Sequence, residues 1–244
     1  MFEKRVAIVT GGTRGIGAAI TADLAMHGCH VAAGFSKDRT QAEALLQKLS
    51  GASVSLHQGK VDIPADCERV VSEVLTQFGR VDYLVNNAGI TLDKTVRKMS
   101  VDEWRTVLQV NLSGAFHMTK AVLDHMLDRG SGRIVNISSV IGETGNIGQA
   151  NYAASKAGLF GLTKSLALET ARKGITVNCV SPGFIATEMV SAMPKAALDT
   201  VVSKIPLQRL GRPEEVARVV RFLLEDEAGY ITGAVFNVNG GLEM

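Results

Sequence analysis

The stretch RVAIVTGGTRGIG, residues 5–17, runs without a spacer into AAITADLAMHG at 18–28. It begins as an apolar run of strand length, and its glycines separate that run from a helix-forming segment. Each glycine has its own use at such a turn. Gly11 permits the tight bend, Gly15 lets backbone come close to a pyrophosphate, and Gly17 lets the helix pack on the strand. A helix starting here presents unpaired N–H groups and the positive end of its dipole, which suits a phosphate. Gly11, Gly12, Thr13, Arg14, Gly15, Ile16 and Gly17 are therefore expected to hold a dinucleotide. Glycine spacing alone is a weak signal, and the strand before it with the helix after it gives it weight.

The same alternation continues outward. Apolar runs recur at 30–35, 53–58, 82–87, 133–138, 175–180 and 234–239, with amphipathic segments at 40–49, 66–78, 101–127, 152–172 and 213–225. The runs are apolar almost throughout rather than alternating, which is how strands covered on both faces read. They predict an α/β chain: a single Rossmann-like, doubly wound parallel sheet of about seven strands with helices on both faces. No linker, repeat or low-complexity tract breaks it, so one domain is expected over residues 1–244. In such a sheet ligands lie beyond the carboxyl ends of the strands, where the strand order reverses.

Composition narrows the function classes. Hydrophobic residues are 46% and charged residues 20%, enough for a large core and too apolar for disorder. The formal net charge of +2 gives no footprint for nucleic acid or an anionic membrane. Cys29, Cys67 and Cys179 are odd in number and form no CxxC pair, which fits a reducing compartment. No signal-peptide core and no membrane-length apolar run is present, so a cytoplasmic location is expected. The histidines show no metal-ligand spacing, and no metal is expected.

The second apolar run ends in GFSKDR, residues 34–39, without an acid at the strand tip. Sites for NAD usually place a carboxylate there for the ribose 2′-hydroxyl. Here Arg14 in the glycine loop, with Lys37 and Arg39 after the run, offers cations for a 2′-phosphate instead. Lys37 and Arg39 also read as solvated loop charges, whereas Arg14 sits inside the loop itself. The expected cofactor is NADPH.

Tyr152 and Lys156 stand four residues apart in a helical segment and so share a face. A free phenol has a pKa of about 10 and exchanges protons poorly at neutral pH. A nearby ammonium stabilises the phenolate, so the tyrosine can hand its proton to a carbonyl oxygen as hydride reaches the carbon. Ser139, after the fifth run, can donate a second hydrogen bond to that oxygen. Ser138 beside it is expected to point to the opposite side by strand pleating.

At TGGTRGIG, Asn86-Asn87-Ala88-Gly89, Asn111, Ser139, the pentad Tyr152-Ala-Ala-Ser-Lys156 and Ser181-Pro182-Gly183, the sequence resembles the short-chain dehydrogenase/reductase family along essentially its whole length. The resemblance implies that Lys156 also holds the nicotinamide ribose and that Asn111 holds a water linking Lys156 to solvent. It extends the cofactor contacts to Val61, Asn87, Ala88, Gly89, Pro182, Gly183 and Ile185. One departure stands out. After the third run the family commonly carries Asp-Val or Asn-Val for the adenine, and this chain has Lys60-Val61, with Asp62 as the nearest substitute acceptor.

Within the family the chain is most similar to reductases of 3-ketoacyl thioesters. These are acetoacetyl-CoA reductases of polyhydroxybutyrate synthesis and 3-oxoacyl-carrier-protein reductases of fatty-acid synthesis. NISSVIG, PGFIATEMV and the ending GLEM incline the reading to acetoacetyl-CoA and an (R)-3-hydroxyacyl product. The resemblance places substrate contacts at Asp93, Lys98, Ser139, Asn146, Ile147, Gln149 and Phe184. Arg129, Arg172 and Lys173 would suit an acidic carrier protein. A non-catalytic NADP-sensing protein is the reading from another class, and intact Tyr152 and Lys156 speak against it. Residues 187–206, with Met189, Met193, Pro194 and Pro206, read as a lid or as an ordinary surface helix. The apolar segment Leu159–Leu168 and the family habit point to a homotetramer.

Overall fold

The computed structural model describes residues 2–191 and 195–244. Seven strands form one sheet: β1 Val6–Val9, β2 His30–Phe35, β3 Val54–Gln58, β4 Tyr83–Asn86, β5 Gly132–Ile137, β6 Ile175–Pro182 and β7 Val235–Val238. Their order is β3-β2-β1-β4-β5-β6-β7, and every neighbouring pair is parallel. The order reverses between β1 and β4, where Val9 pairs with Ala33 on one side and Val85 on the other. The crevice expected of a doubly wound sheet therefore opens above Val9.

The helices are α1 Gly15–Met26, α2 Arg39–Lys48, α3 Pro64–Phe78, α4 Val101–Leu108, α5 Gly114–Arg129, α6 Ile141–Thr144, α7 Ala150–Thr170, α8 Glu188–Ser191, α9 Lys195–Lys204 and α10 Pro213–Leu224. They cover both faces, and the strand sequences show why. In β1, Ala7 and Val9 pack with Ile20 and Leu24 of α1 and Val216 and Val220 of α10. Val6 and Ile8 pack on the other face with Val71 and Val74 of α3, Met118 and Val122 of α5 and Leu166 of α7. A strand buried on both sides needs apolar residues at every position, which is the pattern in the sequence.

Local signals set the element ends. Ser100 accepts from the Glu103 N–H while the Glu103 side chain accepts from the Ser100 N–H, a reciprocal cap that starts α4. Pro64 and Pro213 open α3 and α10, and Gly79 and Gly130 close α3 and α5 in the left-handed conformation.

The segment 101–127 departs from the single helix expected of it. It runs as α4, then one π-helical turn at Gln109–Ser113, then α5. The wider turn contains Asn111, whose buried amide bonds the backbone of Ile90 in both directions, with Nδ2 to Ile90 O at 3.0 Å and Ile90 N to Oδ1 at 2.8 Å. Those contacts offset the irregular turn, which periodicity cannot reveal. The lid segment holds α8 and α9. Met193, Pro194 and the side chain of Met189 lie outside the described residues. Among the described residues no helix is long and apolar enough to cross a membrane.

Candidate active site

At the reversal point, side chains clip the first and fourth strand ends together. The Thr10 hydroxyl accepts from the N–H groups of Asn87 and Ala88, each at 3.0 Å, and Asn87 Nδ2 donates to the carbonyls of Thr10 and Gly11, also at 3.0 Å. The second strand joins through Gly12 N–H donating to Gly34 O at 2.9 Å. The glycine loop is thus held from three strands before any ligand arrives.

Within the loop, Gly11 and Gly15 take positive φ, +60° and +51°, a region L-residues with a Cβ avoid. A Cβ at Gly17 would stand 2.1 Å from Gly11 O, so α1 can approach the turn only without one. At Gly15 the nearest atom to such a Cβ is a Thr187 methyl at 3.4 Å, so the space beside the loop is open. Arg14 is the N-cap of α1 and makes no side-chain cap, leaving the first-turn N–H groups facing that space. The loop fits a pyrophosphate.

A cavity of about 840 Å³ runs from this loop across the strand ends to the start of α7. Gly11, Thr13, Arg14, Gly15, Ile16, Gly17, Val61, Asn87, Ala88, Gly89, Pro182, Gly183 and Ile185 all line it. Gly12 does not: a Cβ there would meet Val9 O at 2.7 Å, so its role is close packing behind the loop. Lys37 and Lys60 also line the cavity. Arg39 does not; it opens α2, and its Nε donates to Glu43 at 2.9 Å. The end of the cavity away from Tyr152 is bounded by Lys60, Asp62 and Asp66, and Asp66 Oδ2 accepts the Lys60 backbone N–H at 2.8 Å.

At the other end Ser139, Tyr152 and Lys156 come together. Lys156 is 4% exposed, its Nζ donates to Ile137 O at 2.7 Å and lies 5.7 Å from the centre of the Tyr152 ring. Burial lowers its ammonium pKa to about 8. Burial pushes the Tyr152 phenol above its ordinary value, and a hydrogen bond with Ser139 works against that rise. Both serines line the cavity, because residues 138 and 139 lie past the end of β5 and strict pleat alternation no longer separates them. What distinguishes them is partner: the Ser138 hydroxyl donates to Lys156 O at 2.8 Å, while the Ser139 oxygen accepts the Ile141 N–H at 3.2 Å and neighbours the Tyr152 phenol.

Asn111 stands behind this group, 2% exposed and outside the cavity wall. Its Nδ2 also donates to Ser155 Oγ at 3.0 Å, and Ser155 donates to Tyr152 O at 2.7 Å. Sequence reasoning missed Ser155, although it lies inside the pentad, three residues after Tyr152. A Cβ on Gly89 would come within 3.3 Å of Asn111 Oδ1 and 3.5 Å of Lys156 Nζ. Gly89 is thus the backbone step that lets Asn111 and Lys156 neighbour each other. Also missed were Asn136 and Thr163, which with Asn86 and Thr119 form a buried chain of hydrogen bonds fixing α5 and α7 to β4 and β5. Isolated polar residues in apolar runs were its only signal.

None of the expected substrate contacts other than Ser139 lines the cavity. Gln149 donates to Asp93 and accepts from Asn146, both at 2.9 Å, and Ile147 beside them is 90% exposed. Lys98 is exposed on the turn after β4, and Phe184 is half-buried with its carbonyl accepting from Gly211 N–H. Arg129 closes α5 at the opposite end of the sheet, ion-paired to Asp82 at 3.2 Å. Among the described residues no group of three or more His, Cys, Asp or Glu side chains is arranged to hold a metal.

Comparison with known proteins agrees over the full length. The family described as enoyl-(acyl carrier protein) reductase matches residues 11–243. The chain is 48% identical to an acetoacetyl-CoA reductase of Cupriavidus necator over 245 residues, covering 100% of both proteins. It is 49% identical to an acetoacetyl-CoA reductase of Rhizobium meliloti over 239 residues, 98% of each. A 3-oxoacyl-[acyl-carrier-protein] reductase of Escherichia coli is 46% identical over 243 residues, 100% of this chain and 99% of that one.

Proposed function

The chain belongs to the short-chain dehydrogenase/reductase family, and from that premise we propose that it reduces acetoacetyl-CoA to (R)-3-hydroxybutyryl-CoA with NADPH. It is an oxidoreductase of the alcohol–carbonyl couple that works with a nicotinamide cofactor. The observation that carries the reading is the meeting of Ser139, Tyr152 and Lys156 in one cavity with the glycine loop and the α1 N-terminus. When bound there, the nicotinamide supplies the hydride.

The protein's part is proton management and orientation. Ser139 and Tyr152 both aim a hydroxyl at one carbonyl oxygen, so charge developing on it meets two preset donors. Tyr152 gives up its proton. Lys156, with its pKa brought to about 8 by burial, places a cation close to the phenolate that remains. Asn111 acts through others as a positioning residue, holding the turn at Ile90 and, through Ser155, the Tyr152 backbone. At the other end Arg14 and Lys37 supply the 2′-phosphate with positive charge. Lys60 changes the adenine edge from an acceptor to a donor, with Asp62 and Asp66 as the neighbouring acceptors.

A carrier-protein thioester is the second reading, favoured by the 46% identity to the Escherichia coli reductase. Against it, Arg129 is engaged with Asp82 at the end of the sheet away from the cavity. The deciding measurement is kcat/KM by loss of NADPH absorbance on acetoacetyl-CoA and on the acetoacetyl-carrier-protein thioester, with product chirality. A carrier-protein preference of about a hundredfold, roughly 2.7 kcal/mol, would move the enzyme to the second reading. An (S) product would break the geometry proposed here. A cytoplasmic homotetramer completes the proposal.

A further inference from the structure

A line of hydrogen bonds crosses the outer strands away from the catalytic group. The Ser53 hydroxyl lies 2.6 Å from His30 Nδ1, and His30 Nε2 lies 3.1 Å from Ser55 Oγ. Ser55 Oγ is also 2.9 Å from His57 Nε2, and His57 Nδ1 is 3.0 Å from Glu73 Oε2. Arg69 Nη1 holds the other Glu73 oxygen at 2.6 Å. His57 is 6% exposed and forms part of two walls, that of the cofactor cavity and that of a surface cavity of about 510 Å³ beside α3.

Ser55, His57 and Glu73 repeat the order of a nucleophilic triad, but they do not make one. Ser55 sits in the regular strand β3, paired with β2, and its hydroxyl is already held between two imidazoles rather than free to attack. The geometry instead fixes every proton. Glu73 is held below the usual carboxylate range by its hydrogen bonds from His57 and Arg69, so it stays an acceptor. His57 must then carry its proton on Nδ1, leaving Nε2 bare. Ser55 must donate to that nitrogen, His30 must donate from Nε2 to Ser55, and Ser53 must donate to His30 Nδ1.

An added proton inverts the line. With His57 cationic, Nε2–H donates to Ser55, Ser55 turns to donate to His30 Nε2, and His30 moves its proton to Nδ1, now donating to Ser53. All bonds survive. A second proton does not fit: both Nε2–H groups would then point at Ser55, whose own O–H would lose its acceptor. Like charge opposes it too, and burial together with the charge of His57 holds His30 below its ordinary value.

We propose that His30 and His57 are one proton-sharing unit, joined through Ser55, that carries a single proton between the protein surface and the wall of the cofactor cavity. Glu73 draws the proton to His57, with Arg69 behind it, while Lys60, Asp62 and Asp66 share the cavity wall. A polyanionic dinucleotide in that cavity draws the proton further, a consequence that rests on the function proposed above.

The test is imidazole 15N NMR on the full chain, titrated from about pH 8.5 to about pH 5. At the high end His57 should show the Nδ1–H form and His30 the Nε2–H form. On acidification His57 should become cationic and His30 should exchange tautomer at one shared midpoint. Ser55→Ala should separate the two events. Glu73→Gln, a second variant should the first not fold, should lower the shared midpoint by about one pH unit with the exchange intact. Unrelated midpoints in the wild type, or coupling unchanged in Ser55→Ala, would overturn the unit. Bound NADP⁺ should raise the midpoint by about half a unit. NADP⁺ that binds without moving it overturns the link to the cavity. NADP⁺ that fails to bind refutes the functional reading, and the tautomer exchange is still read without it.

Discussion

At the scale of single residues, the proposed chemistry rests on where one proton and one phosphate would be held. Tyr152→Phe removes the phenol proton and leaves the ring, so the variant should fold and bind NADPH while kcat/KM falls about a thousandfold. Turnover within about tenfold of wild type would take Tyr152 out of the mechanism. Arg14 is exposed at the cap of α1 with no side-chain capping bond to lose. Arg14→Ala should therefore weaken NADPH binding by about tenfold and NADH binding little, as read by fluorescence titration. Equal weakening of both would assign Arg14 to the shared pyrophosphate. Arg39, offered by the sequence either as a phosphate partner or as a solvated loop charge, lies outside the cavity wall and pairs with Glu43 one turn later in α2. Such a pairing depends on rotamers, which a string of residues does not display.

At the scale of elements, the strand–turn–helix at the start of the chain is specified almost residue by residue. Gly17→Ala pushes a methyl against Gly11 O, a backbone atom that cannot yield without opening the turn. The expected cost is about 3 kcal/mol, or a Tm lower by about 6–12 °C, with loss of cofactor binding. Thermal melts with and without NADP⁺ check this, and an unchanged Tm would show the loop to be more pliant than its contacts imply. Strand positions, helix α7 and the glycine loop were legible because period and turn chemistry are local. The π turn was not. Its helical neighbours read continuously from 101 to 127, and the irregularity exists only because Asn111 meets Ile90 across 21 positions of chain.

At the scale of the molecule, the two ends of the sheet do different work. The carboxyl ends hold the cavity, while at the opposite end Asp82, 3% exposed, gathers Arg5, Arg80 and Arg129. Burial alone would raise its pKa, but the hydrogen bonds from Arg80 and the Val6 N–H, with the arginine charges, hold it below the ordinary value. A depressed carboxylate contributes stability above its unfolded pKa and loses it as pH falls through the folded one. Asp82→Asn should cost about 2 kcal/mol at neutral pH, discounted because the arginines are partly exposed, and the gap from wild type should close below about pH 4. Urea unfolding at neutral and acid pH measures it, and a gap that widens on acidification would exclude the carboxylate as its source. The molecule also leaves apolar surface uncovered: Leu168 on α7 is 84% exposed and Phe116 on α5 47%. Light scattering should give about four times the 25.9 kDa chain mass, and Leu168→Lys should lower it. A monomer mass for the wild type at micromolar concentration would refute the tetramer.

The sequence by itself determined the strand–helix alternation, the crevice at the strand reversal, the glycine loop and the Tyr152–Lys156 face. All of these follow from periodicity, turn chemistry and spacing along one element. Tertiary structure alone decided which candidates meet. It spent the Ser138 hydroxyl on Lys156 O and set the Ser139 oxygen on the Ile141 N–H, paired Arg39 with Glu43, and placed Asn111 behind the cavity wall. It also lined up Ser53, just before β3, with His30 of β2, Ser55 and His57 of β3 and Glu73 of α3. Hydrogen-bond partnership is fixed at a few ångströms between residues far apart in the chain, and that distance is set by packing rather than by any local propensity.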